Sequence, residues 1–334
     1  MLSVTEPPAQ LPHQRSQTAM NGLEVSGLTK SYGTQKVVDN LSFQVGEGEI
    51  FGLIGPNGAG KSTTMMMIMG LLKADSGTVS FDGHRYNAFD RKMRRQFGMV
   101  PQELAIYPEL TAIQNLRFFG KMNGVAGRRL QDRVDYVLDL TGLTRNADHT
   151  PSTFSGGMSR RLNFGIALLH EPRFVVLDEP TVGIDPQSRS NLLDCVRKLS
   201  RDGVGILYAS HYMDEVETVC SRIAIIDGGK MLRQGTLDQL LDRSRLELRV
   251  TVGPLPDDLF AELSKIADVR CTPTGETHIH ILGASETQSG GSSGPLRLVL
   301  EILEDAQIPL RAIESQITSL ETLFLSLTGR TLRD

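Results

Sequence analysis

The run Phe174-Val175-Val176-Leu177 is apolar without alternation and closes on Asp178-Glu179-Pro180. That pattern suits a strand buried on both faces of a parallel sheet. Around it, strand and helix signals alternate. Glu49 to Ile54 reads as a strand, and Ser62 to Leu72, with no proline and no glycine before Gly70, reads as a helix. Phe97 to Gln102 reads as another strand, stopped by Pro101. From about 110 to 145 apolar residues recur at spacings of three and four, through Leu116, Phe118, Phe119, Val134, Val137, Leu138 and Leu140, which predicts helices. Met158, Leu162, Ile166 and Leu169 line one face of a further helix that ends at Pro172. A helix near 187–200, a strand from Val204 to Tyr208, a helix from Met213 and a strand from Ile223 to Ile226 follow. This order predicts an α/β fold with a mostly parallel sheet.

The two ends differ in texture. Residues 1–20 carry Pro, Gln and Ser without a long apolar segment, and read as a disordered tail rather than a signal peptide or anchor. Near Gly22, residues Leu23, Val25 and Leu28 begin a short strand that turns at Ser31-Tyr32-Gly33. Leu41, Phe43 and Val45 alternate as in a half-exposed sheet, and Gly77 to Gly83 reads as a short strand before a basic helix. These segments are expected to build one domain over 21–243, with a separate accessory domain over 244–334. In the latter, Leu246 to Val252 alternates as a strand. The predicted order β-α-β-β-α-β, with a Gly/Ser loop at 286–294 and a last helix near 319–328, is that of a small ferredoxin-like domain.

Composition narrows the function classes. The chain has 334 residues, enough for two domains, and its net charge is −4 with the two signs interspersed, so no basic face announces nucleic acid. Arg91-Lys92-Met93-Arg94-Arg95 reads as a solvated helix turn. Cys195, Cys220 and Cys271 are few, odd in number and far apart, which suits a reducing compartment. No apolar run approaches the roughly 20 residues that cross a bilayer. His278 and His280 share one strand face but have no third ligand in view, so they read as a solvated face.

The candidate chemistry centres on Gly55-Pro56-Asn57-Gly58-Ala59-Gly60-Lys61-Ser62-Thr63, which fits the spacing G-x-x-x-x-G-K-[ST] of a phosphate-binding loop. Small residues let backbone N–H groups close on a polyphosphate. Lys61 would reach the β and γ phosphates, and the Ser62 hydroxyl would ligate Mg²⁺. The phosphates would sit at a helix N-terminus, where the dipole favours anions. Asp178 and Glu179 end a buried strand, where open α/β sheets collect their ligand chemistry. An Asp there can hold Mg²⁺, and an adjacent Glu can polarise an attacking water. Gln102 and His211 follow other strands. Taken alone, the first is a loop amide and the second a cap or surface group, but beside a nucleotide they could touch Mg²⁺, water or the γ-phosphate. Ser155-Gly156-Gly157 offers a second set of N–H groups at a helix start, suited to a nucleotide held by another subunit.

These residues, together with Phe154-Ser-Gly-Gly-Met-Ser-Arg-Arg161 and Gly183-Ile-Asp-Pro186, resemble in order and spacing the motif set of the ATP-binding-cassette (ABC) ATPases, from about 21 to 243. The resemblance implies an α/β P-loop NTPase cassette with a mostly parallel core, an antiparallel β subdomain and a helical subdomain. It implies ATP and Mg²⁺ as ligands, Tyr32 stacked on adenine, Gln102 as the Q-loop residue and Ser155 to Met158 in the signature loop. Glu179 would be the catalytic carboxylate, Asp185 the D-loop residue and His211 the switch histidine. A second ABC ATPase chain would complete each site, in a homodimer or with a relative. Phe154 and Met158 depart from the usual Leu and Gln without loss of charge. The C-terminal segment Ser319 to Gly329 is similar to the tail of bacterial cassettes that serve ABC-2-type permeases. That likeness implies a cytoplasmic ATPase held on the inner face of the membrane by a separate permease, exporting a drug, lipid or glycolipid. The competing expectation is a soluble cassette acting on ribosomes or DNA, which the single motif set and the missing heptad run disfavour.

Overall fold

The computed structural model describes residues 21–87, 89–241, 247–271, 276–282, 295–316 and 319–328; the N-terminal tail and the Gly/Ser loop at 286–294 lie outside them. The chain opens with β1 (Gly22–Tyr32), β2 (Gln35–Gly46), β3 (Ile50–Ile54), α1 (Lys61–Ile68), β4 (Ser76–Phe81), β5 (His84–Arg85), α2 (Arg91–Arg94) and β6 (Phe97–Val100). Helices α3 (Ala112–Met122), α4 (Gly127–Leu140) and α5 (Gly156–Ile166) come next. They lead to β7 (Phe174–Asp178), α6 (Pro186–Arg201), β8 (Gly205–Ala209), α7 (Met213–Val219), β9 (Arg222–Asp227), β10 (Lys230–Thr236) and α8 (Leu237–Leu241). The last part holds β11 (Glu247–Val252), α9 (Asp257–Leu263), β12 (Asp268–Cys271), β13 (Thr277–Leu282), α10 (Pro295–Asp305), β14 (Leu310–Gln316) and α11 (Leu320–Thr328).

Among the described residues the strands form three sheets. The central one has the order β10-β9-β3-β8-β7-β6, parallel except for the edge strand β10. Its parallel strands are buried on both faces, and the period of two sorts their side chains. Phe174 and Val176 face the apolar layer formed with β1, β2 and β4, while Val175 and Leu177 face the helices. Phe51 and Leu53 divide from Ile50 and Ile54 in the same way. The continuous apolar runs therefore fill two cores at once, as a sheet covered on both sides requires.

Two local differences from the sequence expectations have simple causes. β1 is long rather than short, running eleven residues through Tyr32, because register shifts between Val25 and Ser31 and the left-handed Gly27 absorb its irregularity. α1 stops at Ile68 instead of reaching Leu72. Gly70 turns left-handed, and the Leu71 and Leu72 amides bond back to the Met66 carbonyl.

The third sheet has the antiparallel order β12-β13-β11-β14, with α9 and α10 packed on one face through Leu259, Leu263, Val299 and Leu303. This is the ferredoxin-like arrangement. On its other elements, Thr251 Oγ1 meets His278 Nδ1 at 3.1 Å, and no cluster of three or more metal-ligating side chains exists among the described residues. The terminal helix α11 packs away from this sheet. Its Leu320 and Phe324 join the buried cluster that holds Val216, Val219, Leu237 and Leu241, and the Leu320 amide donates to Glu217 Oε1 at 2.8 Å.

Candidate active site

The site lies where the parallel strands end. The phosphate loop leaves β3, Asp178 ends β7, the segment of His211 leaves β8, and Gln102 follows β6. β8 separates β3 from β7, so loops from non-adjacent chain segments meet at one edge of the sheet.

The loop from Gly55 to Gly60 wraps to the N-terminus of α1. Ala59 and Gly60 are buried, while Asn57 and Gly58 form the exposed rim and Pro56, Ser62 and Thr63 are half-buried. Gly60 takes φ 98°, and a Cβ there would lie 2.4 Å from the Val37 carbonyl oxygen, so only glycine fits. Lys61 is buried. Its Nζ donates to the Gly55 carbonyl at 2.7 Å and the Pro56 carbonyl at 3.1 Å, and lies 3.8 Å from Glu179 Oε1. Burial pushes the Lys61 ionisation below its ordinary value, against the pull of Glu179 and Asp178.

Asp178 is buried, and burial raises its carboxyl above the usual range despite a hydrogen bond with Ser62. Its Oδ1 has no hydrogen-bond partner. Glu179 is buried beside it and holds a left-handed backbone at φ 48°. For a residue other than glycine that costs on the order of 1–3 kcal/mol and persists where the surroundings enforce it. Its amide donates to the Ala209 carbonyl at 3.0 Å, which ties β7 to β8. His211 Nδ1 stands 3.2 Å from Glu179 Oε2, close but not aligned as a hydrogen bond, and its ring packs on Tyr212.

The remaining predicted residues surround this cluster. Gln102 is exposed, and its carbonyl accepts from the Arg160 guanidinium, whose charge also reaches Glu179. Tyr32 is 53% exposed, with Lys30 Nζ over its ring at 5.7 Å from the centroid. Ser155 caps α5 by accepting from the Met158 amide at 3.2 Å. Gly156 is exposed and Gly157 buried, packed closely against Ser188 at the start of α6. Asp185 caps α6 through the Ser188 amide at 2.9 Å, and those bonds hold its carboxyl below the usual range. Among the described residues no hydrogen bond or ion pair joins Tyr32, Ser155, Gly156 or Asp185 to the Lys61–Glu179 cluster. The structure thus brings together Lys61, Ser62, Asp178, Glu179 and His211, and leaves Tyr32, Gln102, Ser155, Gly156 and Asp185 exposed around them.

Behind the cluster lies a network that sequence reasoning missed. Glu215, on α7, is buried and gathers Thr181, Tyr208, Ser210 and Arg189. Its signal was an acidic residue on the apolar side of a short helix, between Met213 and Val216.

A phosphate loop between a buried parallel strand and a helix, with acidic residues at the end of a second strand, defines a nucleotide-hydrolysing P-loop protein of the α/β class. The comparisons make the class particular. The ABC transporter family matches residues 38–182. The linearmycin resistance ATP-binding protein LnrL of Bacillus subtilis (strain 168) is 42% identical over 318 residues, spanning 93% of this chain and 100% of that protein. The Nod factor export ATP-binding protein I of Ralstonia nicotianae (strain ATCC BAA-1114 / GMI1000) is 35% identical over 93% of this chain and 95% of its own. A solved dimeric ATP-binding cassette in a post-hydrolysis state, bound to ADP and Pi, superposes with a TM-score of 0.59 at 27% identity, covering 64% of this chain and 98% of that one. The chain belongs to the ATP-binding subunits of ABC transporters. It binds and hydrolyses ATP, and like the subunits of its family it dimerises and works with a membrane permease component.

Proposed function

We propose that this chain is the ATPase of an ABC-2-type exporter, driving a drug, lipid or glycolipid out of the cytoplasm through a separate permease. The observation that carries this is the span of the likeness. Two relatives named for linearmycin resistance and Nod factor export align over 93% of the chain, so the similarity extends well beyond the 38–182 family match. The chain would then sit on the cytoplasmic face of the membrane, held by its permease; no helix among the described residues is long and apolar enough to cross a bilayer.

Within the site we assign the roles as follows. Backbone N–H groups of the loop beyond Pro56 cradle the phosphates, and Lys61 leaves the loop carbonyls to pair with the β and γ groups. Ser62 and Asp178 would hold Mg²⁺: a hydroxyl and a carboxylate with an unpaired buried oxygen are the hard donors that ion prefers. Bound there, Mg²⁺ would neutralise charge on the phosphates. Glu179 accepts the proton of the attacking water, His211 donates to the γ-phosphate, and the Gln102 amide would reach Mg²⁺ and that water. Tyr32 stacks on adenine. Ser155, Gly156, Gly157 and Asp185 complete the nucleotide site of a second chain, which fits the exposed position of Ser155, Gly156 and Asp185 away from the cluster. The permease would rest on the aromatic group of Tyr107, Phe118 and Phe119, which lies between Gln102 and the signature loop and leaves Tyr107 and Phe118 exposed, with Leu104 and Met122 exposed in the same segment.

The test is an affinity capture from detergent-solubilised membranes of the source cell, with the Glu179→Gln chain as bait in Mg-ATP. The expected prey is a protein with about six apolar spans. Recovery of ribosomal or DNA-bound proteins and no membrane protein would overturn the proposal.

A further inference from the structure

Glu215 is 1% exposed and belongs to none of the motifs above. Its Oε2 accepts hydrogen bonds from Thr181 Oγ1 at 2.7 Å, Tyr208 Oη at 2.7 Å and Ser210 Oγ at 3.2 Å. Its Oε1 lies 3.1 Å from Arg189 Nε. Each partner stands beside a residue of the site. Thr181 follows Glu179 by two positions. Ser210 immediately precedes His211 and accepts from the Tyr212 amide at 3.0 Å. Arg189 lies one helical turn after Asp185, whose carbonyl accepts its amide at 3.0 Å, and its guanidinium stacks 4.6 Å above the Tyr212 ring.

A buried carboxylate is a poor way merely to fill space, because apolar side chains do so without desolvating a charge. Oε1 and Nε are close but not aligned as a hydrogen bond, so the guanidinium supplies charge, while the three hydroxyl bonds on Oε2 provide directional register among segments that are remote in sequence. Burial and the Glu215 carboxylate keep the Tyr208 phenol well above its ordinary range, so it remains a donor. The left-handed backbone of Glu179 lies two residues from the Thr181 bond that anchors its loop.

We infer that Glu215 is a positioning residue for hydrolysis: it fixes the segments of Glu179, His211 and Asp185 relative to one another, and so sets the hydrolytic rate rather than ATP affinity. This rests on the roles assigned to Glu179 and His211 above. The test is steady-state phosphate release by the full-length chain, with thermal unfolding measured in parallel. Glu215→Gln keeps the shape but cannot pair with Arg189, and Thr181→Val keeps the volume but removes one donor. Both are expected to lower kcat at least about tenfold with KM for ATP unchanged, since small misplacements of reacting groups are costly. Thr181→Ser should restore the rate. Glu49→Gln is the structural control, because its carboxylate bonds Gly46 and Arg222 at the far end of β3; it should lower the unfolding midpoint and leave kcat intact. Wild-type kcat in both Glu215→Gln and Thr181→Val, with only a lowered midpoint, overturns the inference. Should Glu215→Gln fail to fold, Thr181→Val against Thr181→Ser decides. Glu179→Gln in the same assay separates the two claims: turnover there defeats the site assignment, whereas a dead Glu179→Gln beside an active Glu215→Gln defeats only this inference.

Discussion

Lys61 Nζ lies 3.8 Å from Glu179 Oε1, with both side chains less than a tenth exposed. The ammonium is drawn by the carboxylates of both Glu179 and Asp178. Lys61→Met removes it and leaves two buried carboxylates together. Breaking a buried pair this way costs roughly 3–5 kcal/mol, unless a carboxyl takes up a proton instead. Loss of the phosphate contact should reduce kcat by about 10²-fold or more. Phosphate release and urea unfolding of the variant check both effects; normal turnover would contradict the role of Lys61.

Glu179→Gln should separate binding from hydrolysis. The amide keeps the shape of the side chain and its place beside His211, 3.2 Å away, but cannot accept the proton of a water. ATP should therefore hold this variant as a dimer that does not turn over. Size-exclusion chromatography with and without Mg-ATP reads this directly. A monomer in ATP, or ordinary phosphate release, would remove Glu179 from its assigned role.

These two residues were legible in the sequence for a physical reason. Loops at the ends of parallel strands carry site chemistry in short contiguous stretches, and Gly55 to Thr63 or Asp178-Glu179 show their spacing without any knowledge of the fold. Glu215 was not legible. Its partners sit at 181, 189, 208 and 210, and only the pairing of β7 with β8 and the packing of α6 on α7 bring them together. β10 escaped because Lys230 to Thr236 is a largely exposed edge strand with no apolar alternation. The strands of the core were readable because burial on both faces demands unbroken apolar runs.

Stability should fall on mild acidification because of His170. Its Nε2 donates to the Phe97 carbonyl at 2.8 Å, and Nδ1 is buried without a partner. Burial, with Arg95 and Arg133 nearby, lowers its pKa below 6.5 in the native state, outweighing the Phe97 bond. The unfolded chain therefore binds more protons just below that value, so the contribution is complete above pH 6.5 and is lost as pH falls towards the native pKa. His170→Gln, which keeps a donor for Phe97, should flatten the fall in unfolding midpoint as pH drops below 6.5. An equal fall in both proteins would assign the effect elsewhere.

The two signature-loop glycines should respond differently to alanine in the nucleotide-free protein. A Cβ on Gly157 would stand 2.1 Å from Ser188 Oγ and 2.4 Å from its Cβ, whereas one on Gly156 meets only the Gly183 carbonyl at 3.4 Å. Gly157→Ala should cost about 1–3 kcal/mol by overpacking, and Gly156→Ala little. Adding Ser188→Gly to Gly157→Ala should recover part of the loss. Chemical denaturation of the three variants checks the order, and equal stability of the two single variants would rule out the close packing.

The terminal helix should stabilise the cassette although it follows the ferredoxin-like sheet in sequence. Phe324 is 1% exposed and packs in the cluster of Val216, Val219, Leu237 and Leu241, next to the helix that follows His211. Phe→Ala in a packed core costs roughly 3–5 kcal/mol. If α11 were an appendage of the last sheet, Phe324→Ala would loosen that sheet and leave ATP hydrolysis as heat-resistant as before. Because its contacts are with α7 and α8, the temperature at which ATPase activity is lost should fall, and a chain ending at 318 should fall at least as far. The Leu320 amide on Glu217 adds a directional tie at the same junction, so Glu217→Ala should reproduce a smaller part of the shift. Heat inactivation curves for the three variants measure it, and unchanged inactivation in all of them would place the stabilising contacts of α11 outside the cassette.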